Sequence, residues 1–348
     1  QFIRVFSKAQ IVLMSASMTQ QQIHGIQKVL AETNDPAEIV RGPKPIEDLP
    51  SYQLAAIEKE DLAWDEIIQE LERGGKVLWI TNQVADSQRI YTEAIDKFAK
   101  LSFPVQTLVY HSRFRYQDAC EQHQKLIAAF RGEQPAFAVT TQIAEMSLDI
   151  SATLLISANA PIWALIQRLG RLNRWVEQIS EGYKLKTDRI CKALVYPWKA
   201  SEIYNQIDLD TGTNLIQTLQ NQVINQTQLA EEMGKISLEA PSPENCEWLQ
   251  TWKATSGELM DAGYTIQITL ANDKPKILAS PEKRYLEVQK WAVSVPIQDS
   301  TQSWDKKTFK FYRIAPTEDV HYHPEIGAYN PKQEKFLQER YGHKTETI

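Results

Sequence analysis

The chain has 348 residues, enough for two domains, and its 43% hydrophobic and 24% charged residues are the proportions of a soluble globular protein. A formal net charge of −6 excludes a uniformly basic nucleic-acid coat but not a local basic groove, whose field depends on where the charges sit. Cys120, Cys191 and Cys246 lie far apart without metal-ligand spacing, and no apolar run reaches membrane-spanning length. We therefore expect a cytoplasmic protein with reduced thiols, no membrane contact and no metal site within this chain.

Residues 10–16 predict a strand and 20–33 a helix, with Ser15 and Ser17 placed to cap it. Gly42-Pro43-Lys44-Pro45 signals a turn, followed by a short exposed segment with edge-strand character. Over 61–72, Trp64, Ile67, Ile68 and Leu71 recur on one helical face, and Gly74-Gly75 ends that helix. A strand over 77–81, a helix over 85–98, a strand over 105–111 and a helix over 117–130 follow. The apolar run 136–139 ends in Thr140-Thr141; a polar turn leads to Leu148-Asp149-Ile150 and a second buried run, 153–157. Pro161 stands where a helix would begin, and the run 193–196 closes the alternation.

Strands and helices alternating in this way imply an α/β domain over 1–200, its sheet mostly parallel and flanked by helices. Polar helical segments over 201–234 and the Pro241-Ser242-Pro243 boundary suggest a helical extension over 201–257. The β-type alternation at 264–270 and 308–314 suggests a small α+β accessory domain over 258–348.

The most informative stretch is Gln167-Arg168-Leu169-Gly170-Arg171-Leu172-Asn173-Arg174, or Q-R-x-G-R-x-x-R. If the helix that starts at Pro161 runs through it, Arg168, Arg171 and Arg174 share one cationic edge, and Gly170 lets a ligand or backbone approach. Guanidinium forks grip planar oxyanions and stabilise the charge that develops in phosphoryl transfer. In open α/β sheets ligands gather at the carboxyl ends of strands. Thr141, Glu145 and Asp149 are therefore expected at the same edge as Gln167, Arg171 and Arg174. His321 and His323 form a pair without the carboxylate or Cys partners that a metal needs.

The segments Thr140-Thr141-Gln142-Ile143-Ala144-Glu145-Met146-Ser147-Leu148-Asp149-Ile150 and Gln167 to Arg174 resemble motifs V and VI of superfamily 2 helicases. The Q-x-x-E-x-S-L-D-I form, together with Tyr110-His111-Ser112-Arg113-Phe114, resembles the CRISPR-associated helicases of type I interference systems. Residues 11–19 are similar to motif III and residues 76–83 to motif IV, so the motifs stand in the family's order.

This resemblance implies that 1–200 is a second RecA-like domain and that the parent protein is an ATP-dependent 3′-to-5′ DNA helicase or translocase. By the same resemblance Arg171, Arg174 and Gln167 are catalytic, and Asp149, Gly170 and Arg168 meet the ATP. Thr141, Arg113, Ser112, His111 and Asn82 would touch nucleic acid, while Ser15 and Ser17 would couple hydrolysis to movement. The implied partners are single-stranded DNA and a Cascade-type crRNA-guided surveillance complex, with a separate nuclease subunit as one arrangement if the parent itself carries no nuclease. Another superfamily 2 helicase of DNA repair or RNA, or a non-catalytic RecA-like binding module, is the alternative.

The sequence holds no G-x-x-x-x-G-K-[ST] loop, no D-E-x-H strand and no His-Asp dipeptide, and it opens on Gln1. We therefore expect the C-terminal part of a longer protein. ATP and Mg²⁺ would be held mainly by a preceding RecA-like domain, and the fragment alone would be inactive.

Overall fold

The computed structural model describes residues 12–13, 18–31, 38–40, 42–201, 203–236, 265–270, 292–296, 305–306, 313–316 and 318–342. Ser15, Ser17, Cys246 and Pro241 lie outside these residues. So does most of the expected first strand, of which Val12 and Leu13 take no regular structure. Helix α1 (Gln20–Ala31) is capped by Thr19, whose hydroxyl accepts the Gln22 N–H at 3.2 Å while the Gln22 side-chain oxygen accepts the Thr19 N–H at 2.9 Å. This reciprocal cap fills the role that the sequence offered to Ser15 and Ser17.

Along the chain follow α2 (Lys44–Glu47), β1 (Tyr52–Ala56), a 3-10 turn, α3 (Trp64–Glu72), β2 (Lys76–Ile80), α4 (Val84–Phe98), β3 (Gln106–Tyr110) and α5 (Tyr116–Arg131). Then come β4 (Ala136–Thr140), α6 (Ile143–Ser147), β5 (Leu154–Ala158), α7 (Ile162–Leu169), the hairpin β6 (Val176–Ile179) and β7 (Gly182–Leu185), β8 (Cys191–Tyr196), α8 (Gln206–Leu219), β9 (Val223–Ile224) and α9 (Gln226–Gly234). Beyond them, β10 (Thr265–Leu270), β11 (Val293–Pro296), β12 (Asp305–Lys306) and β13 (Arg313–Ala315) form a sheet of order β11-β10-β13-β12. Strands β14 (His321–His323) and β15 (Gly327–Tyr329) pair as a hairpin, and α10 (Lys335–Tyr341) follows.

The main sheet has seven strands in the order β3-β4-β2-β5-β8-β1-β9. The pairs β3–β4, β2–β5, β5–β8 and β8–β1 are parallel, and β9 is antiparallel to β1. Every residue of β2, β4 and β5 is buried, which is why these segments read as continuous apolar runs rather than alternating ones. The segment expected as an exposed edge strand is β1, and it corrects that expectation. Tyr52 and Leu54 are buried, and the two-residue β9 takes the edge.

The chain divides into two compact units, residues 1–80 with 144–240 and residues 81–143 with 241–348. This differs from the expected boundaries at 200 and 257. In the first unit β9 extends the sheet, and α8 packs so tightly that a Cβ on Gly212 would fall 1.9 Å from the Ala160 carbonyl oxygen. Residues 206–234 are thus part of this unit's core rather than a separate extension. There Trp64 and Trp79 pack with ring centroids 5.2 Å apart, and the Trp79 indole donates to the Tyr196 hydroxyl at 3.3 Å.

In the second unit the closing hairpin is bonded to the body of the unit. The Gln88 amide donates to the Ile326 and Ala328 carbonyls at 2.7 and 3.0 Å, and the Ala328 N–H donates to the Arg113 carbonyl at 2.8 Å.

Candidate functional site

The arginine motif is not one helix. Helix α7 ends at Leu169 with Gly170 as its C-cap, and the Arg171 and Leu172 N–H groups close tight turns onto the Arg168 and Leu169 carbonyls. Asn173 then adopts φ 48°, a left-handed conformation that Asn tolerates better than most residues. The turn is stitched to Ala152, in the segment just before β5. The Ala152 N–H donates to the Arg171 carbonyl at 2.8 Å, the Asn173 N–H to the Ala152 carbonyl at 2.9 Å, and the Asn173 amide to the Ser51 carbonyl at 2.9 Å. Gly170 therefore ends the helix, and only carbonyls of its own helix lie within 4 Å of a Cβ placed there.

The expected cationic edge is corrected in the same way, because the three arginines occupy three environments. Arg168 is fully buried: its Nε donates to the Glu145 carboxylate at 2.9 Å and its Nη1 to the Ser157 hydroxyl and the Ala158 carbonyl, each at 3.0 Å. With no exposed surface it cannot meet a nucleotide, so its role is structural. Arg171 is half-buried and donates from Nε to the Ala144 carbonyl at 2.9 Å and from Nη2 to the Glu145 carbonyl at 2.7 Å. Burial and the neighbouring Arg174 hold its pKa below the usual arginine value, with Asp149 opposing them.

Arg174 is exposed. It pairs with the exposed Asp149 at 3.3 Å, while its backbone N–H donates to the Ser151 hydroxyl at 2.9 Å. Gln167 is half-buried in the last turn of α7. Glu145 and Ser151, which the sequence reading did not single out as holders of the arginines, supply much of this framework.

The proposed nucleic-acid residues lie in the second unit, and several are less exposed than expected. Asn82, Thr141 and His111 are buried at 1, 5 and 1% exposure, which corrects their expected place on an open binding edge. The Asn82 carbonyl accepts from the Gln142 amide at 3.0 Å. Arg113 pairs with Glu334 at 3.3 Å and is largely covered; burial lowers its pKa while Glu334 raises it. Ser112 is the exposed residue of the set.

The reason is the closing hairpin. Gly327 has φ +74°, and a Cβ there would lie 2.7 Å from the Arg113 carbonyl oxygen and 2.8 Å from the His111 ring. The Tyr322 hydroxyl accepts the Arg115 N–H at 3.1 Å and donates to Asp118. His321 and His323 pack against the rings of Tyr329 and Tyr341 rather than standing free for a metal.

Burial, aided by the charge of Arg113, pushes the His111 pKa down to about 3. The unfolded chain, with His near 6.5, therefore binds more protons than the folded one between these values. Stability from this residue is full above pH 6.5 and is lost as pH falls toward 3. His111→Asn keeps an acceptor for the Arg113 N–H, now given to the ring Nδ1 at 3.2 Å, and removes the titration. We expect urea unfolding midpoints of the wild type to fall faster than those of His111→Asn as pH drops from 7 to 5.

A mostly parallel α/β sheet whose β5–α7 unit ends in Q-R-x-G-R-x-x-R, following T-T-Q-I-A-E-M-S-L-D-I, defines the C-terminal half of a superfamily 2 helicase. Residues 73–177 match the family described as CRISPR-associated nuclease/helicase Cas3, C-terminal. A putative CRISPR-associated nuclease/helicase Cas3 of Myxococcus xanthus is 34% identical over 264 residues, covering 74% of this chain and 32% of that protein. Its counterpart from Methanocaldococcus jannaschii is 34% identical over 153 residues, 40% of this chain and 20% of that one.

The crystal structure of T. fusca Cas3-AMPPNP superposes with a TM-score of 0.58 at 17% identity, over 86% of this chain and 44% of that chain. A structure described as a CRISPR RNA-guided surveillance complex, pre-nicking, gives 0.54 at 15% identity, over 85% of this chain and 46% of that one. These two superpositions establish the fold. Over these regions the chain is similar to the C-terminal part of Cas3 nuclease/helicases, and it spans about a third of the length of the first of these relatives. Among the described residues no helix is long and apolar enough to cross a membrane.

Proposed function

We propose that this chain supplies the second RecA-like lobe of an ATP-dependent DNA helicase or translocase that moves 3′ to 5′ in type I CRISPR interference. The observation that carries the reading is the arginine turn. Arg174 is exposed, and its partner Asp149 is an exposed carboxylate that a phosphate group can displace. Arg171 beside it is fixed by two backbone carbonyls. Arginine suits such a role because its planar fork binds phosphate oxygens bidentately and keeps its charge.

In this reading ATP is held by an opposing RecA-like lobe. Arg174 and Arg171 stabilise the γ-phosphoryl group in transfer, and Gln167 orients beside it. Asp149 is freed for the nucleotide once Arg174 turns to the phosphate. Mg²⁺ would accompany the ATP and be held mainly by that opposing lobe; among the described residues of this chain no group of three or more His, Cys, Asp or Glu side chains could hold a metal. The strand of DNA is gripped through its phosphates, with Ser112 as the exposed contact and the 111–113 and 140–142 backbone around it. Grip of that kind weakens steeply with salt.

The partners are single-stranded DNA and a Cascade-type surveillance complex, with cleavage assigned to a nuclease domain or subunit. The test is strand displacement by the full-length protein on duplexes carrying a 3′ or a 5′ tail, with and without ATP. ATP-dependent unwinding from the 3′ tail alone is expected. Unwinding from 5′ tails, or DNA-independent behaviour, overturns the reading. Capture of the protein by a target-bound Cascade-type complex separates this reading from a repair or RNA helicase.

A further inference from the structure

The first unit contains a residue that none of the motif roles above uses. Glu145, in the short helix α6, holds both inner arginines of the turn by different atoms. Its carboxylate accepts from Arg168 Nε at 2.9 Å, and its backbone carbonyl accepts from Arg171 Nη2 at 2.7 Å. The preceding carbonyl, of Ala144, takes Arg171 Nε at 2.9 Å. The last carbonyls of a helix lack intrahelical partners and carry its negative dipole end, so a guanidinium is a fitting cap.

Arg168 in turn is anchored to the end of β5 through Ser157 and Ala158. Glu145 therefore ties α6 to the sheet through Arg168 while presenting its own carbonyl to Arg171. Farther along the same loop Asp149 and Ser151 hold Arg174. The placement of the Arg171 fork thus depends on the conformation of residues 143–147, and that segment begins two positions after Thr141 in the chain.

We infer that Glu145 is a positioning residue that sets the Arg171 guanidinium and makes phosphoryl transfer responsive to the conformation of the 141–147 loop. This rests on the motor reading above. When α6 turns, the carbonyls that grip Arg171 turn with it, while the carboxylate-to-Arg168 bond keeps the pivot on the sheet. A bound strand that shifts the loop would thereby move the fork into or out of line with the γ-phosphate.

The test compares full-length wild type, Glu145→Gln, Glu145→Asp and Arg174→Ala. ATP turnover is measured with and without single-stranded DNA, together with the KM for ATP and the thermal unfolding midpoint. Glu145→Gln keeps the backbone carbonyl and the side-chain length but loses the charge that pins the pivot. The expected result is a fall in DNA-stimulated kcat on the order of 10²-fold, the scale of a misplacement of about 1 Å. KM for ATP should stay within about twofold of wild type, because the side chain is not placed on the nucleotide. Glu145→Asp, which restores the charge, should recover part of the stimulation.

Wild-type stimulation by Glu145→Gln, with Arg174→Ala inactive, overturns the positioning role and leaves the motor reading standing. Loss of the cooperative thermal transition in Glu145→Gln assigns the residue to folding alone and also overturns it. Full activity in Arg174→Ala removes the motor reading beneath it.

Discussion

On the motor reading, Arg174→Ala in the full-length protein should lower DNA-stimulated ATP turnover by roughly 10³-fold, the lower end of what a phosphate-facing arginine contributes to phosphoryl transfer. The same change should shift unfolding free energy by less than about 1 kcal/mol. The Arg174–Asp149 pair is 41 and 58% exposed, and surface ion pairs contribute that little. A large kinetic effect without a stability effect is the signature of a group held in reserve for a ligand. Arg174→Lys keeps the charge but not the bidentate fork, so it should recover only part of the activity. Arg171→Ala should behave differently. It strips the α6 carbonyls of Ala144 and Glu145 of their donors, so stability and turnover should fall together. ATPase assays paired with urea titrations of the variants check both statements. Arg174→Ala with wild-type turnover would dismiss this turn as the site of catalysis.

The parallel strands were legible because burial on both faces favours apolar side chains at nearly every position. The runs at 76–80, 136–140 and 154–158 therefore carry their own signature. The end of α7 was not legible. Arg171 and Leu172 continue a helical spacing, and what breaks it is a pair of backbone bonds to Ala152, a residue that no local pattern points to. Asn173 was the available clue, since an Asn shortly after a Gly at the end of an apolar helix is suited to a left-handed turn.

The different fates of the arginines were hidden for the same reason. A period of three or four assumes a continuous helix, and Arg168 lies inside the core because Glu145 and Ser157 are waiting there. In the second unit, Tyr110 to Phe114 marked a functional strand end, but the sequence could not show what lies against it. Glu334 stands 221 positions after Arg113, and Gly327 lies against the His111 ring. Contacts at that separation leave no periodicity behind. The position of β1 inside the sheet was hidden likewise, because a two-residue strand such as β9 is too short to announce itself.

Arg168→Ala should be the most destabilising of the arginine changes, by about 3–5 kcal/mol, because removing one partner of a buried ion pair strands the other. The Glu145 side chain is only 14% exposed. Burial raises its pKa above the ordinary carboxylate value even with Arg168 present to lower it. Without Arg168 the lowering contribution disappears and the Ser157 hydroxyl and Ala158 carbonyl lose a donor. The Glu145 carboxylate must then be buried unpaired or take up a proton. A carboxyl whose folded pKa lies above its unfolded value binds more protons when folded, so stability rises as pH falls through that range. The deficit of Arg168→Ala relative to wild type should therefore shrink as pH is lowered from 8 toward 5. Adding Glu145→Gln should recover part of it at pH 8, where the carboxylate is otherwise charged. Urea unfolding of the two single variants and the double variant closes a mutant cycle. A coupling near zero, or a deficit that widens on acidification, would show that Arg168 is held by packing rather than by Glu145.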